Sequence, residues 1–355
     1  MAADGAGVPE RGRLRRLTLH LAASACVVLL AACTAPAEIP AGDVLAISVD
    51  STVISNLDGM TATLGGAPKM APGLTFLGGI ELSSPEPLFG AFSSVRFRDR
   101  EHFLGVFDTG YFIEGRITRN AAGHLSGVAD IRLAPLLDQS GQVSPSKYLV
   151  DAESLAVDGD RAYVGFEQRH RVVAYTPLSD LGHARASAPL PLPFDVKNLS
   201  SNGGIEALVL SPTASPLAGA LLALSEYSVD DNGNNYAGIL SGPLQGEFRV
   251  KPHDGFEITD GAFLPNGDLL LLERRFSIAT GVGMRLRRIE GATIRPGAVV
   301  DGPIIFEADN RSQIDNMEGM DAIVAEDGSV HLIVVSDDNH SILQRTLMLE
   351  FRLER

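Results

Sequence analysis

The chain has 355 residues, with 44 acidic against 29 basic side chains, a formal net charge of −15, no tryptophan and two cysteines. A field of that sign excludes nucleic acid and an anionic membrane surface as partners. Both cysteines, Cys26 and Cys33, fall near the start, so the rest of the chain has no disulfide, thiol nucleophile or thiolate metal site.

Residues 1–33 read as a targeting segment. Arg11, Arg13, Arg15 and Arg16 form a basic lead, and Leu17 to Leu30 is an apolar stretch shorter than the roughly 20 residues of a membrane span. Leu30-Ala31-Ala32-Cys33 resembles the bacterial lipobox, in which the cysteine is diacylated. Cys33 is therefore the expected lipidation residue, residues 34–43, with Pro36 and Pro40, a short tether, and 44–355 one folded domain. The expected location is the periplasmic face of a bacterial membrane, touched only through the lipid; a soluble periplasmic product is the alternative. Without residues 1–33, which carry four arginines and two acids, the net charge becomes −17.

Downstream, four short apolar strands open on an acid: Glu153 before Ser154-Leu155, Glu206 before Ala207-Leu208, Asp260 before Gly261-Ala262, and Glu318 before Gly319-Met320. They stand 53, 54 and 58 residues apart. The following strand in each case closes on a second acid, Glu167, Glu226, Glu273 or Asp337, and Ser93-Ser94-Val95 with Asp108 fits as an earlier unit. Pro265-Asn266-Gly267 and Glu326-Asp327-Gly328 are hairpin-turn signatures. Met284 to Ile289 and Thr346 to Phe351 alternate as half-exposed outer strands do. A repeat of this length, with about four strands per unit, predicts an all-β fold: a single β-propeller of five to six four-stranded blades. Thr75 to Leu82 is an orphan strand expected to join the sheet begun by the C-terminus and close the ring. Val44 to Ile54 either pairs there too or helps build a sixth blade.

In a blade the innermost strand runs one way along the channel and its neighbour returns, so opener and closer share a face. The repeat thus predicts a ring of carboxylates at one mouth, which needs cations or hydrogen-bond donors to neutralise it. Oxygen donors favour Ca²⁺, with Asp108, Glu153, Glu206, Asp260, Glu273, Asp315, Glu318, Asp337 and Asp338 as candidate ligands and no organic cofactor. The plain alternative is that these acids cap loops. Arg274, Arg275 and Arg345 are candidate grips for phosphate or carboxylate. Glu318 or Glu206 is the candidate general base beside a metal-activated water. Alternatively, the arginines pair with ring acids and hold blades together. Ser144-Pro145-Ser146-Lys147 matches a Ser-x-x-Lys pattern only in letters, since it sits in a loop. The run Asp230 to Asn235 lacks the glycine and glutamate of a calcium loop and reads as a polar connection. Met317 and Met320 read as packing.

Three blocks carry a resemblance: Asp260 to Phe276, Asp315 to Met320, and Ser336 to Thr346, supported by Asn202 to Leu208 and Asp151 to Ala156. They resemble the phytase-like family, also described as esterase-like activity of phytase, from about Gly78 to the C-terminus. The resemblance implies an exported β-propeller that cleaves phosphate or carboxylic esters. The Asp-Ala-Ala-Asp-Asp signature of calcium-dependent propeller phytases is absent from the chain. The expected function is metal-assisted hydrolysis of a small-molecule ester, phosphoesters before carboxylic esters, at an acid-lined channel mouth. The alternative is a non-catalytic propeller of the cell envelope that grips a ligand or protein at the same face.

Overall fold

The hairpin signatures form the turns they predict. At Pro265-Asn266-Gly267 the Leu264 N–H donates to Asp268 O (2.8 Å), Asn266 Oδ1 accepts from Asp268 N–H (3.1 Å), and Gly267 takes φ +91°, a conformation that favours glycine. Asp327 and Gly328 (φ +81°) build the same turn in the last repeat. The structure, a computed structural model, describes residues 38–58, 68–277 and 281–354. Among these, only one helical turn, Lys147–Val150, and a few 3₁₀ segments interrupt the strands.

Five sheets result, antiparallel except where the short outer strand Val299–Val300 runs parallel to Gly246–Val250. Their innermost strands are Phe92–Phe97, Ala152–Asp158, Ile205–Leu210, Glu257–Phe263 and Asn316–Val324, and each touches the next, the fifth returning to the first. This is a five-bladed β-propeller. The second strands are His102–Phe107, Arg161–Phe166, Leu221–Val229, Leu269–Ser277 and Val330–Asp337. The ring closes as expected: Leu74–Ser83 pairs with the C-terminal strand Thr346–Leu353, from Thr346↔Leu82 to Leu353↔Leu74. Asp50–Ile54 adds outside it, while Leu45–Ala46 joins the outer edge of the first blade. The extra N-terminal segment thus thickens two blades instead of making a sixth. Residues 38–43, assigned above to the tether, lie against the propeller: Ile39 is buried, and the Gly42 N–H donates to Gly182 O (3.0 Å).

Five apolar clusters hold the blades together, one between each neighbouring pair, as sheets packed face to face require. Met317 and Met320 belong to the cluster between the fourth and fifth blades, consistent with a packing role.

The register of the two inner strands sets the site. In each blade a β-bulge on the innermost strand leaves one residue without a partner: Ser93, Glu153, Glu206, Thr259 and Glu318. A bulge re-aims its extra side chain, here at the same place in five blades. The residue just past the paired position on the second strand is correspondingly Asp108, Glu167, Glu226, Arg274 or Asp337.

Candidate active site at the channel mouth

All of these equivalent positions except Ser93 and Thr259 line one cavity of about 550 Å³. Eight carboxylates line it: Asp108, Glu153, Glu167, Glu206, Glu226, Glu318 and Asp337 from the strand frame, with Asp151 from the loop entering the second blade. Two cations join them. The Lys147 ammonium lies 2.6 Å from Asp108 Oδ2 and 3.5 Å from Asp151 Oδ1. Arg274 Nη2 lies 3.1 Å from Glu226 Oε1, and its Nε lies 3.3 Å from Glu318 Oε1, an ion pair without hydrogen-bond direction. Gln168, Asn202, Asn316 and Asn339 add amide groups.

The fourth blade breaks the acidic ring. Its bulged residue is Thr259, whose hydroxyl donates to Met317 O (3.0 Å), and its closing residue is Arg274. Asp260 and Glu273, expected in the ring, are each one residue out of frame, which turns a strand side chain to the opposite face. Asp260 instead meets Arg96 in the centre of the propeller, with Nη2–Oδ1 at 2.6 Å and Nη1–Oδ2 at 2.9 Å. The same guanidinium donates to Met320 O, Leu208 O and Gly261 O, which ties together four of the five innermost strands. Glu273, 1% exposed, pairs with Arg285 and Arg287 inside its own sheet.

Four other expected residues also lie elsewhere. Asp338 is a loop cap: Oδ1 accepts from the N–H groups of Ala91 and His340 (3.0 Å each) and Oδ2 from Thr346 Oγ1 (2.9 Å). Asp315 accepts from Asn316 N–H (3.0 Å) and Arg345 N–H (3.2 Å). The Arg345 guanidinium is held beside it by Gln313 Oε1 (2.9 Å) and Ile314 O (3.3 Å). Arg275 lies on the opposite face of its strand from Arg274 and stacks on Phe256 at 4.6 Å. Cys33 lies outside the described residues. Asp230 Oδ1 accepts from the N–H groups of Asn232 and Asn234, so its run is a hairpin turn.

Crowding and burial act on the mouth in one direction. Burial, reinforced by Asp108 and Asp151, pushes the Glu153 carboxyl well above its ordinary range; burial with Glu153 and Glu226 does the same to Glu206. Burial lifts Glu167 to about 7, helped by Asp151. It lifts Glu226 to about 8 against the opposing charge of Arg274, and Asp337 to about 8 with Glu318 adding to the rise. Arg274 is held above its usual range, chiefly by Glu318. These acids therefore hold either protons or a cation.

Two trios have oxygens within 4.8 Å of one another: Asp108, Asp151 and Glu153, and Glu167, Glu206 and Glu226. Asp108 Oδ1 and Glu206 Oε1, one in each trio, are buried with no hydrogen-bond partner. Orphaned carboxylate oxygens among hard oxygen donors fit Ca²⁺ or Mg²⁺. Each trio already has a cation beside it, but Lys147 pairs with two members of the first, Asp108 and Asp151, whereas Arg274 pairs with Glu226 alone in the second. The second trio, with two carboxylates that pair with no cation among the described residues, is therefore the better cation site.

A family model described as "Phytase-like: Esterase-like activity of phytase" matches residues 87–340. No curated protein matches the chain. Solved structures similar to it include an α-L-arabinofuranosidase from Lactobacillus brevis, at 13% identity over 74% of this chain and 91% of that one, with a TM-score of 0.42. Another is the α-L-arabinofuranosidase PaAbf62A from Podospora anserina, at 11% identity, 84% and 98% coverage and TM-score 0.39. A nidogen/laminin complex follows, at 10% identity, 82% and 91% coverage and TM-score 0.35. Likeness this distant, spread over enzymes and a nidogen/laminin complex, says nothing of substrate.

Proposed function

The chain belongs to the phytase-like family, and from that premise we propose that its acidic mouth hydrolyses esters with the help of a divalent cation, phosphoesters before carboxylic esters. The observation that carries the reading is the Glu167, Glu206 and Glu226 trio with a buried orphan oxygen, beside the guanidinium of Arg274. The three glutamates would hold the cation, with Ca²⁺ favoured. A bound cation of this kind supplies Lewis acidity towards a phosphoryl or carbonyl oxygen and lowers the pKa of water. Arg274, fixed by Glu226 and Glu318, presents the one guanidinium that lines the cavity among the described residues, suited to the negative oxygens of a phosphoester. Glu206 is spent as a ligand. Glu318, outside both trios, is then the acid placed to take a proton from the attacking water. Export and lipid attachment through Cys33 remain part of this proposal.

The test uses p-nitrophenyl phosphate, bis-p-nitrophenyl phosphate and p-nitrophenyl acetate, each with Ca²⁺ and with EDTA. Turnover is expected with Ca²⁺ and lost in EDTA. Glu318→Gln should lower kcat by about 10²–10⁴-fold, the usual worth of a general base. Arg274→Gln should also lower it, and Arg275→Gln should change it less than about twofold. No turnover of any ester, while Ca²⁺ still raises the Tm, would replace hydrolysis with the non-catalytic binding reading.

A further inference from the structure

The turn between the second and third strands of the second blade, Phe166 to Arg171, sends its side chains two ways. Glu167 and Gln168 face the mouth, whereas Arg169 and Arg171 face a separate cavity of about 480 Å³ on the blade's flank. The helical turn Lys147–Val150 divides the two spaces, with Lys147 and Tyr148 on one side and Leu149 and Val150 on the other. We propose that this flank cavity binds the carboxylate of a small, partly apolar organic acid through Arg171, Arg169 and the Tyr175 hydroxyl.

Charge is the first argument. Most arginines near a carboxylate use it here, as Arg96, Arg249, Arg274, Arg285 and Arg287 do. Among the described residues Arg169 and Arg171 form no ion pair, although the chain's net charge is −15. Arg171 is preorganised: its guanidinium lies over the Phe166 ring at 3.9 Å and donates to Leu149 O and to Arg169 O (3.0 Å). Two of its five N–H groups are so used, leaving three for a ligand. Burial pulls this guanidinium below its usual range, as expected for a half-buried charge without a counter-ion.

The second argument is independent of charge. Tyr175 is 3% exposed, packs edge-on to Phe112 at 5.3 Å and lines the cavity, and its hydroxyl makes no hydrogen bond to any described residue. The polar tip of an otherwise buried tyrosine is thus left free for a partner inside the cavity. It lies in the field of Arg171 and Asp138, both of which line the cavity. Asp138 makes no ion pair with either arginine; its Oδ1 is turned to the loop, accepting from the N–H groups of Gln142 (2.9 Å) and Ser140 (2.8 Å).

The walls set the ligand class. Leu136, Val143, Leu149 and Val173 are apolar, and the volume suits a small molecule. One lodged guanidinium and one hydroxyl match a monoanion with an apolar body. A phosphate dianion would need a second buried cation, and Arg169 is exposed. The site does not depend on ester hydrolysis at the mouth.

Calorimetric titration of the whole protein with benzoate and hexanoate tests this, beside benzamide, hexanol and inorganic phosphate. Saturable binding of the two acids is expected, at least about tenfold tighter than the neutral compounds and phosphate. Arg171→Gln should weaken it about tenfold or more, Arg169→Gln and Tyr175→Phe each about threefold, and Glu206→Gln should leave it unchanged. Tyr175→Phe and Arg169→Gln keep the packing, so they remain decisive if Arg171→Gln does not fold. Acids that bind no better than their neutral counterparts or phosphate would overturn the proposal. So would affinity indifferent to Tyr175→Phe and Arg169→Gln.

Discussion

Replacing Glu273 by alanine is expected to destabilise the fold by about 3–5 kcal/mol, the range for removing one partner of a buried ionic group. Cation binding at the mouth should be unchanged. Arg285 and Arg287 are both 0% exposed, and Glu273 accepts from each of them. Their other carboxylate partners, Asp254 and Asp301, are 70% and 40% exposed, so water screens those pairs and they cannot replace the central charge. At about 2–4 °C per kcal/mol the Tm should fall by roughly 6–20 °C. Glu307→Ala, which removes a partner of the exposed Lys69, should change stability by less than about 1 kcal/mol. A triple replacement of Glu273, Arg285 and Arg287 by leucine and methionine should recover much of the loss, since no unpaired charge remains. The strand frame is at stake here. If Glu273→Ala left stability intact but abolished Ca²⁺ binding, the fourth blade would have to be re-registered by one residue.

That one-residue question also marks how far the chain can be read without coordinates. The period, the turns and the ring closure by Thr75 to Leu82 were legible because they rest on apolar runs and on Asn-Gly and Asp-Gly turns, which recur at regular spacing. The carboxylates of three repeats were legible because Glu153, Glu206 and Glu318 all sit on the bulge. The fourth repeat misled because it offers an acid next to each true position. Aligning by acids selects Asp260 and Glu273. Aligning Ile205-Glu206 with Ile258-Thr259, and Ser225-Glu226 with Glu273-Arg274, selects the pair that the bulge exposes. The apolar residue before the bulge was the better anchor, since core burial fixes register more strongly than a surface charge does. Lys147 and Asp151 escaped altogether as site residues. They come from a loop and helical turn between blades that has no counterpart in the other repeats, so periodicity could not reveal them.

The mouth should also give the protein an unusual response to pH. In EDTA, the Tm is expected to fall as pH rises from about 5 to 8, by roughly 5 °C or more. Glu167 at about 7, and Glu226 and Asp337 at about 8, all titrate above the ordinary carboxylate range. Between that range and pH 8 the native state therefore holds more protons than the unfolded chain, and stability declines with pH. Their contribution is complete below about pH 4, where both states are protonated, and is lost as pH passes through 7 and 8. Acids with the opposite shift, such as Asp268, held down against burial by the Gly291 N–H and Arg288, and Glu350 beside His331 and Arg119, lose their contribution only in stronger acid, below about pH 4. A stability maximum near pH 5 follows. Ca²⁺ should reverse the decline at pH 8, where it binds ionised ligands; at 100 times its Kd it adds about 2.7 kcal/mol. At pH 5 protons compete for the same oxygens, and the added stability should be small. Binding near pH 7 should therefore release protons, measurable as a calorimetric heat that changes with the buffer's ionisation enthalpy. Glu167→Gln and Glu226→Gln should each flatten the pH slope and reduce the Ca²⁺ effect. A Tm that is level or rising from pH 5 to 8 in EDTA, or a Ca²⁺ shift equal at both ends, would mean the trio is not where protons and cations exchange.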